Sequence, residues 1–179
     1  SRAEETIAGG NSLFSKNPNL FLPKKWPTYF SKTKDCYVWD LENNKYLDMS
    51  YMGVGTNVLG YNNNEIDKEV IKTVKKGNLS TLNSPEEVYL AEHLLKLCPW
   101  ANKVKFTRSG GEANVVSLRI SRAASGKDKV MICGYHGWHD WYLAANLKSS
   151  NLLKNHLMNN VPINGVPKNL IKNIIVFKS

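Results

Sequence analysis

The sequence predicts an α/β fold built on a mainly parallel, buried sheet. Two observations carry the prediction. Lys103–Thr107, Lys129–Cys133 and Ile174–Phe177 are short runs rich in branched and apolar residues, the composition of strands. Between the first two lies a helical stretch, Glu112–Ser125, reached through a Ser109-Gly110-Gly111 turn and stopped by Gly126. Strand, helix and strand at these lengths describe a unit whose strands run parallel under a helical cover. The chain is 42% hydrophobic and 22% charged, ordinary values for a globular protein, and wholesale disorder is excluded.

The remaining elements follow in chain order. Residues 1–34 contain Gly9-Gly10, Pro18, Pro23 and Pro27 and read as an irregular, extended arm. Cys36–Leu41 and Tyr46–Met49 flank the polar turn Glu42-Asn43-Asn44-Lys45, which predicts a β-hairpin. In Asn64–Lys76, Ile66, Val70, Ile71 and Val74 fall on one helical face, and Gly77 supplies the stop. Ser84-Pro85-Glu86-Glu87 is a helix start, with a Ser N-cap, Pro at the first position and Glu87 placed for a capping box. Val88, Leu90, Ala91, Leu94 and Leu95 continue as an apolar stripe. The chain ends two residues after Phe177. A sheet stopping there would leave an open edge, so a longer parent protein is expected.

Composition narrows the functional classes. No apolar run approaches the roughly 18 residues of a membrane span. The start, Ser-Arg-Ala-Glu-Glu, lacks the basic-then-apolar layout of a signal peptide. Cys36, Cys98 and Cys133 form no CxxC pair, so neither a disulfide framework nor a thiolate zinc site is expected, and reduced thiols suit a cytoplasmic protein. The net charge is +9, and residues 101–179 hold all of the excess, with 12 basic and 3 acidic side chains. Such a balance suits an anionic ligand, an acidic partner or a solvated basic face. A basic nucleic-acid-binding module is the remote alternative. Its basic residues are dispersed over helix, strand and loop, without a recognition motif, so nucleic acid is not the expected partner.

Two segments carry candidate chemistry. In Thr107-Arg-Ser-Gly-Gly-Glu-Ala-Asn114 a strand runs into two glycines and then a helix. The first N–H groups of a helix lack internal partners and lie at the positive end of its dipole, a setting that suits phosphate. Ser109 adds a hydroxyl. The alternative is a tight turn and nothing more. Standard nucleotide fingerprints do not match: GxxxxGK(S/T) is absent, and Gly53-Val-Gly55 is followed by Val58 where GxGxxG needs its third glycine. The second segment, Gly134-Tyr-His-Gly-Trp-His-Asp-Trp141, follows the second strand. Ligands of open α/β sheets sit beyond the carboxyl ends of strands, so the two segments should lie side by side. Tyr135 offers a ring face to an aromatic ligand. His136 and His139 are too few for a metal centre, and none is expected. His139 and Asp140 read as structural hydrogen-bonding residues, and Trp138 and Trp141 as core or interface.

Together these residues resemble the class III aminotransferases, fold-type I enzymes that use pyridoxal 5′-phosphate, and most closely glutamate-1-semialdehyde aminomutase-like proteins. Ser109-Gly-Gly-Glu-Ala113 stands for the family's Ser-Gly-(Ser/Thr)-Glu-Ala. Ser121-Arg-Ala-Ala-Ser-Gly126 is similar to its helix end, and Tyr135-His-Gly to its next motif. Tyr37-Val-Trp-Asp40, Tyr46-Leu-Asp48 and Leu59-Gly-Tyr61 are similar to its early motifs, in the same order.

The resemblance implies amino-group transfer by the full-length protein on a small amino or carbonyl substrate, and a homodimer. Ser109, Gly110 and Gly111 would hold the cofactor phosphate. Tyr135 would stack on the pyridine ring, with His136 beside it. Residues 1–60 would be the arm and part of a small domain, and 61–179 the first part of the large, cofactor-binding domain. Gly111 departs from the family's Ser or Thr, so one hydroxyl is lost. Asn11-Ser-Leu-Phe-Ser15 stands where aminomutases carry an arginine for the substrate carboxylate; that arginine falls on Ser15. Ser12, Ser15 and Lys16 are the substrate candidates there, and glutamate semialdehyde is not singled out. The Schiff-base lysine and the aspartate that pairs with the pyridine nitrogen are expected downstream of Ser179. Lys127 and Lys129 read as surface charges. No catalytic residue is therefore assigned within residues 1–179, and this length alone is expected to be inactive. A racemase or decarboxylase using the same cofactor is the alternative.

Overall fold

A computed structural model describes residues 2–50, 52–148 and 162–177. They fall into two units, Ser1–Glu87 and Val88–Ser179.

The first unit opens with α1 (Arg2–Thr6) and three 3-10 turns, at Ala8–Gly10, Phe14–Lys16 and Pro18–Leu20. A three-stranded antiparallel sheet follows, in the order β1 (Phe30–Lys34), β2 (Tyr37–Asp40), β3 (Lys45–Leu47). β2 and β3 are the expected hairpin, with Val38 opposite Tyr46. β1 corrects the reading of residues 1–34 as wholly irregular. It pairs Lys32 with Trp39 and Lys34 with Tyr37. The pairing satisfies β2 backbone groups that the hairpin alone would leave open.

Two aspartates hold this unit's turns. Asp40 Oδ1 accepts from the backbone N–H groups of Glu42 and Asn44, both at 2.9 Å. Its Oδ2 accepts from Asn44 Nδ2 at 3.0 Å and from the Tyr46 hydroxyl at 2.9 Å. The turn is thus built by one side chain, and Asn43 takes its positive φ of 66°. Asp48 accepts from the Tyr61 hydroxyl at 2.6 Å, and Asp35 forms a backbone bridge with Tyr61. A Cβ on Gly60 would lie 3.3 Å from the Asp35 carbonyl oxygen, so the Leu59-Gly-Tyr61 turn needs its glycine.

α2 (Asn64–Lys76) has the expected bounds. The Asn63 side chain accepts from Glu65 N and Ile66 N, and Gly77 follows the last turn with φ 98°. Ile66, Val70, Ile71 and Val74 are each 48–55% exposed, so the described residues leave the predicted stripe half-open. α3 (Pro85–Leu97) spans the division between the units. Its expected capping box does not close: Ser84 donates to the Glu86 carboxylate instead. A hydroxyl turned toward that acceptor leaves the reciprocal arrangement with Glu87 unformed.

The second unit contains α4 (Gly110–Ser125), β4 (Val130–Ile132), α5 (Asp140–Leu143) and β5 (Ile174–Val176). β4 and β5 pair in parallel, with Val130 opposite Ile174 and Ile132 opposite Val176. This is the parallel sheet that the sequence predicts. Lys103–Thr107 forms no strand. A strand exists only by pairing, and no described residue pairs with it. The core gathers Ile132 and Ile174 of the sheet with Tyr142, Leu143, Ala144, Ala145 and Val166. Among the described residues, no helix is long and apolar enough to cross a membrane.

Candidate functional site

The site begins at the first turn of α4. Ser109 is the N-cap, and its Oγ accepts from Glu112 N at 3.3 Å. Glu112 Oε2 turns back to accept from Arg108 N at 2.9 Å. Ser-x-x-Glu is capping-box spacing; the Ser109 half forms, while Glu112 closes one residue early, on Arg108 N instead of the N-cap N–H. Ala113 N reaches the Ser109 carbonyl at 3.0 Å. The N–H groups of Gly110 and Gly111 find no partner among the described residues. Beyond its chain neighbours and the backbone of α4, none of the described residues lies within 4 Å of where a Gly110 Cβ would stand, so they leave this face open. Two free N–H groups, a Ser109 hydroxyl still able to donate, and the positive end of a 16-residue helix suit a phosphate group.

The segment after β4 lies against this turn, as the sequence predicts. Asn114 Nδ2 donates to the His136 carbonyl at 3.1 Å. A Cβ on Gly137, whose φ is +101°, would stand 3.4 Å from Gly111 Cα. A Cβ on Gly111 would meet His139 Cδ2 and Nε2, each at 2.9 Å. Glycine at 111 is therefore what allows the two segments to approach, and glycine at 137 is what gives the loop its positive φ there.

Aromatic rings set the rest. Tyr142 is fully buried and donates to the Gly134 carbonyl at 2.9 Å. Burial pushes its hydroxyl up to about 12, against an opposing pull from the His136 backbone N–H, so it remains a neutral donor. The Tyr135 and His136 rings stand edge-on to Tyr142 at 6.2 and 5.6 Å. Tyr135 is 61% exposed, which leaves ring surface accessible for stacking. His136 Nε2–H donates to the Cys133 carbonyl at 2.8 Å, which fixes the ring.

For this segment one expectation changes, one narrows and one holds. The His139 imidazole makes no hydrogen bond among the described residues. Its backbone carbonyl makes the structural bonds instead, accepting from Tyr142 N and Leu143 N at 2.9 and 3.1 Å. Trp138 is 70% exposed and is not a core residue of this unit; it stacks on His139 with centroids 4.8 Å apart. Trp141 packs against the core as expected, although its indole N–H is buried without a partner among the described residues.

Ser109, Gly110, Gly111, Tyr135 and His136 all lie in the second unit. Ser12, Ser15 and Lys16 lie in the first, at and around the 3-10 turn Phe14–Lys16, and their side chains make no hydrogen bond among the described residues. The exposed Lys127 and Lys129 follow the α4 stop. Among the described residues, no three His, Cys, Asp or Glu side chains converge as a metal site. The sequence reading missed Glu112, Asn114 and Tyr142 as organisers. Glu112 was legible from its spacing to Ser109; Tyr142 and Asn114 act through contacts that no local pattern marks.

A sequence model of the Aminotransferase class-III family matches residues 23–175. The 3-aminobutyryl-CoA aminotransferase of Cloacimonas acidaminovorans (strain Evry) is 32% identical over 140 residues, covering 78% of this chain and 33% of the relative. The glutamate-1-semialdehyde 2,1-aminomutase of Sulfolobus acidocaldarius is 33% identical over 143 residues, covering 79% and 33%. The chain thus spans about a third of the length of these curated relatives. Among solved structures, the FumI protein of Sphingopyxis sp. MTA144 superposes with a TM-score of 0.79 at 24% identity, over 99% of this chain and 38% of that one. At that identity the likeness speaks to fold alone, and the fold is the fold-type I α/β architecture that the sequence predicts. The match over residues 23–175 and the two relatives settle the family: the chain belongs to the class-III aminotransferases.

Proposed function

We propose that these residues hold the phosphate end and one ring face of pyridoxal 5′-phosphate in an enzyme of amino-group transfer. The observation that carries the reading is the open first turn of α4, with Gly110 and Gly111 N–H unpaired among the described residues, tied directly to the loop that presents Tyr135. When bound, the cofactor supplies an electron-withdrawing ring that stabilises negative charge on the substrate carbon bearing the amino group.

The chain's own residues supply binding and orientation. Gly110 N–H, Gly111 N–H and the Ser109 hydroxyl donate to phosphate oxygens. Glu112 is engaged by Arg108 N, so its carboxylate serves the cap while the two glycine donors stay open. Tyr135 would stack on the ring, steadied by the edge-on contact with Tyr142. His136, fixed through Nε2, stands beside it. In this reading the Schiff-base lysine comes from a segment outside residues 1–179. Ser12, Ser15 and Lys16 meet a small amino or carbonyl substrate, and the full-length protein works as a cytoplasmic homodimer. Residues 1–60 form the arm and part of a small domain, and 61–179 begin the large one.

The test is titration of the full-length apoprotein with pyridoxal phosphate and with pyridoxal, which lacks the phosphate. Gly110→Val, which fills the open face, is expected to weaken the first at least tenfold and to leave the second unchanged. Equal binding of pyridoxal phosphate by wild type and variant would overturn the reading.

A further inference from the structure

Gly111 stands in the first turn of α4, where a side chain would reach toward Ser109 and the open glycine N–H groups. A Cβ there would lie 3.9 Å from Ser109 Oγ and 2.9 Å from His139 Cδ2 and Nε2. The second distance is shorter than real side chains tolerate. The imidazole of His139 therefore occupies the volume of the missing residue-111 side chain. It brings a ring nitrogen to the turn at the point where the hydroxyl is lost.

His139 is held there on several sides. Trp138 covers one face, with the two rings 13° from parallel. The His139 carbonyl is pinned by Tyr142 N and Leu143 N. Gly137, two residues earlier, approaches Gly111 Cα closely enough to fix where the loop crosses α4. The imidazole is half-buried and makes no hydrogen bond among the described residues. Its neighbour His136 spends Nε2 on the Cys133 carbonyl. The Glu112 carboxylate, the acidic group of this turn, is directed to Arg108 N.

We infer that His139 is a phosphate ligand: Nε2–H donates to a cofactor phosphate oxygen in place of the hydroxyl absent at position 111. The inference rests on the reading of the α4 N-terminus as the cofactor-phosphate site. It also makes positions 111 and 139 mutually exclusive, since a side chain at 111 and the imidazole at 139 claim one volume. A terminal phosphate has three oxygens, and a ring N–H joins two backbone N–H groups and one hydroxyl in serving them.

The experiment uses the full-length apoprotein, titrated separately with pyridoxal phosphate, pyridoxal and inorganic phosphate. His139→Ala is expected to weaken pyridoxal phosphate and inorganic phosphate about tenfold, the effect of losing one hydrogen bond to a charged group, and to leave pyridoxal unchanged. The ³¹P resonance of the bound cofactor shifts in the same variant. His139→Gln, which retains a donor, recovers most of the affinity. Gly111→Ser alone collides with the imidazole and weakens binding, whereas Gly111→Ser with His139→Ala restores it, because the hydroxyl enters the emptied volume. Equal weakening of pyridoxal and pyridoxal phosphate by His139→Ala would assign the residue a structural role and overturn the inference. Wild-type binding by His139→Ala, while Ser109→Ala and Gly110→Val still weaken phosphate, would overturn it and leave the site reading standing. Indifference of binding to all three positions would overturn both.

Discussion

The Tyr61 hydroxyl donates to the Asp48 carboxylate at 2.6 Å and so ties the Leu59-Gly-Tyr61 turn to the end of the hairpin. Burial pushes Asp48 up, but the Ser50 hydroxyl, the Tyr61 hydroxyl and the Ser50 N–H outweigh it, and the carboxyl sits below its ordinary 3.8. A folded value below the unfolded one gives stability that is full above the unfolded value and is lost as pH falls through the folded one. Tyr61 is pushed up to about 12, by burial first and then by Asp48. Its contribution is full below pH 10 and is lost as pH rises from 10 toward 12. Tyr61→Phe should cost about 1 kcal/mol at neutral pH, below the usual range for a bond to a charged group because both partners meet solvent. Urea melts across pH should show both losses diminished in the variant.

Two helix caps separate folding from binding. Asn63→Ala and Ser109→Ala each remove an N-cap acceptor and should each cost about 1 kcal/mol in denaturant melts. Only Ser109→Ala should also weaken pyridoxal phosphate, because only its hydroxyl faces the open glycine N–H groups.

Gly137→Ala should be costly through its backbone. Its φ of +101° strains any Cβ, whereas that Cβ would stand only in ordinary contact with Gly111 Cα at 3.4 Å. Roughly 1–3 kcal/mol of stability should go, and cofactor affinity should fall as the loop that carries Tyr135 shifts to relieve the strain. Gly126→Asn is the control: at φ 66° it keeps the left-handed cap, which Asn tolerates, and should change neither quantity appreciably.

The two tyrosines of the ring cluster should divide their effects. Tyr142→Phe removes the bond to the Gly134 carbonyl from a fully buried site and should cost about 1–2 kcal/mol, with faster amide exchange over residues 134–137. Tyr135→Ala, at an exposed site, should leave stability almost unchanged. It should weaken pyridoxal phosphate about three- to tenfold, the range for one stacked ring, while Tyr135→Phe binds like wild type.

What the sequence determined by itself is what neighbouring residues settle. α2 runs from Asn64 to Lys76 as read, because Asn63 and Gly77 bound it within one turn at each end. The hairpin closes because Asp40 reaches backbone N–H groups two and four residues away. Ser109 caps α4 through Glu112, three residues on, and the open glycine turn follows from that spacing. Tertiary structure decided what depends on residues far apart in the chain. β1 exists because β2 accepts it, and Lys103–Thr107 is no strand because no described residue pairs with it. The approach of His139 to Gly111 joins positions 28 apart, and no periodicity or cap announces it. Local hydrogen bonds are encoded by residue types a few places apart. Volume is shared only after the chain has folded, so which side chain fills the space at Gly111 was for the fold to decide.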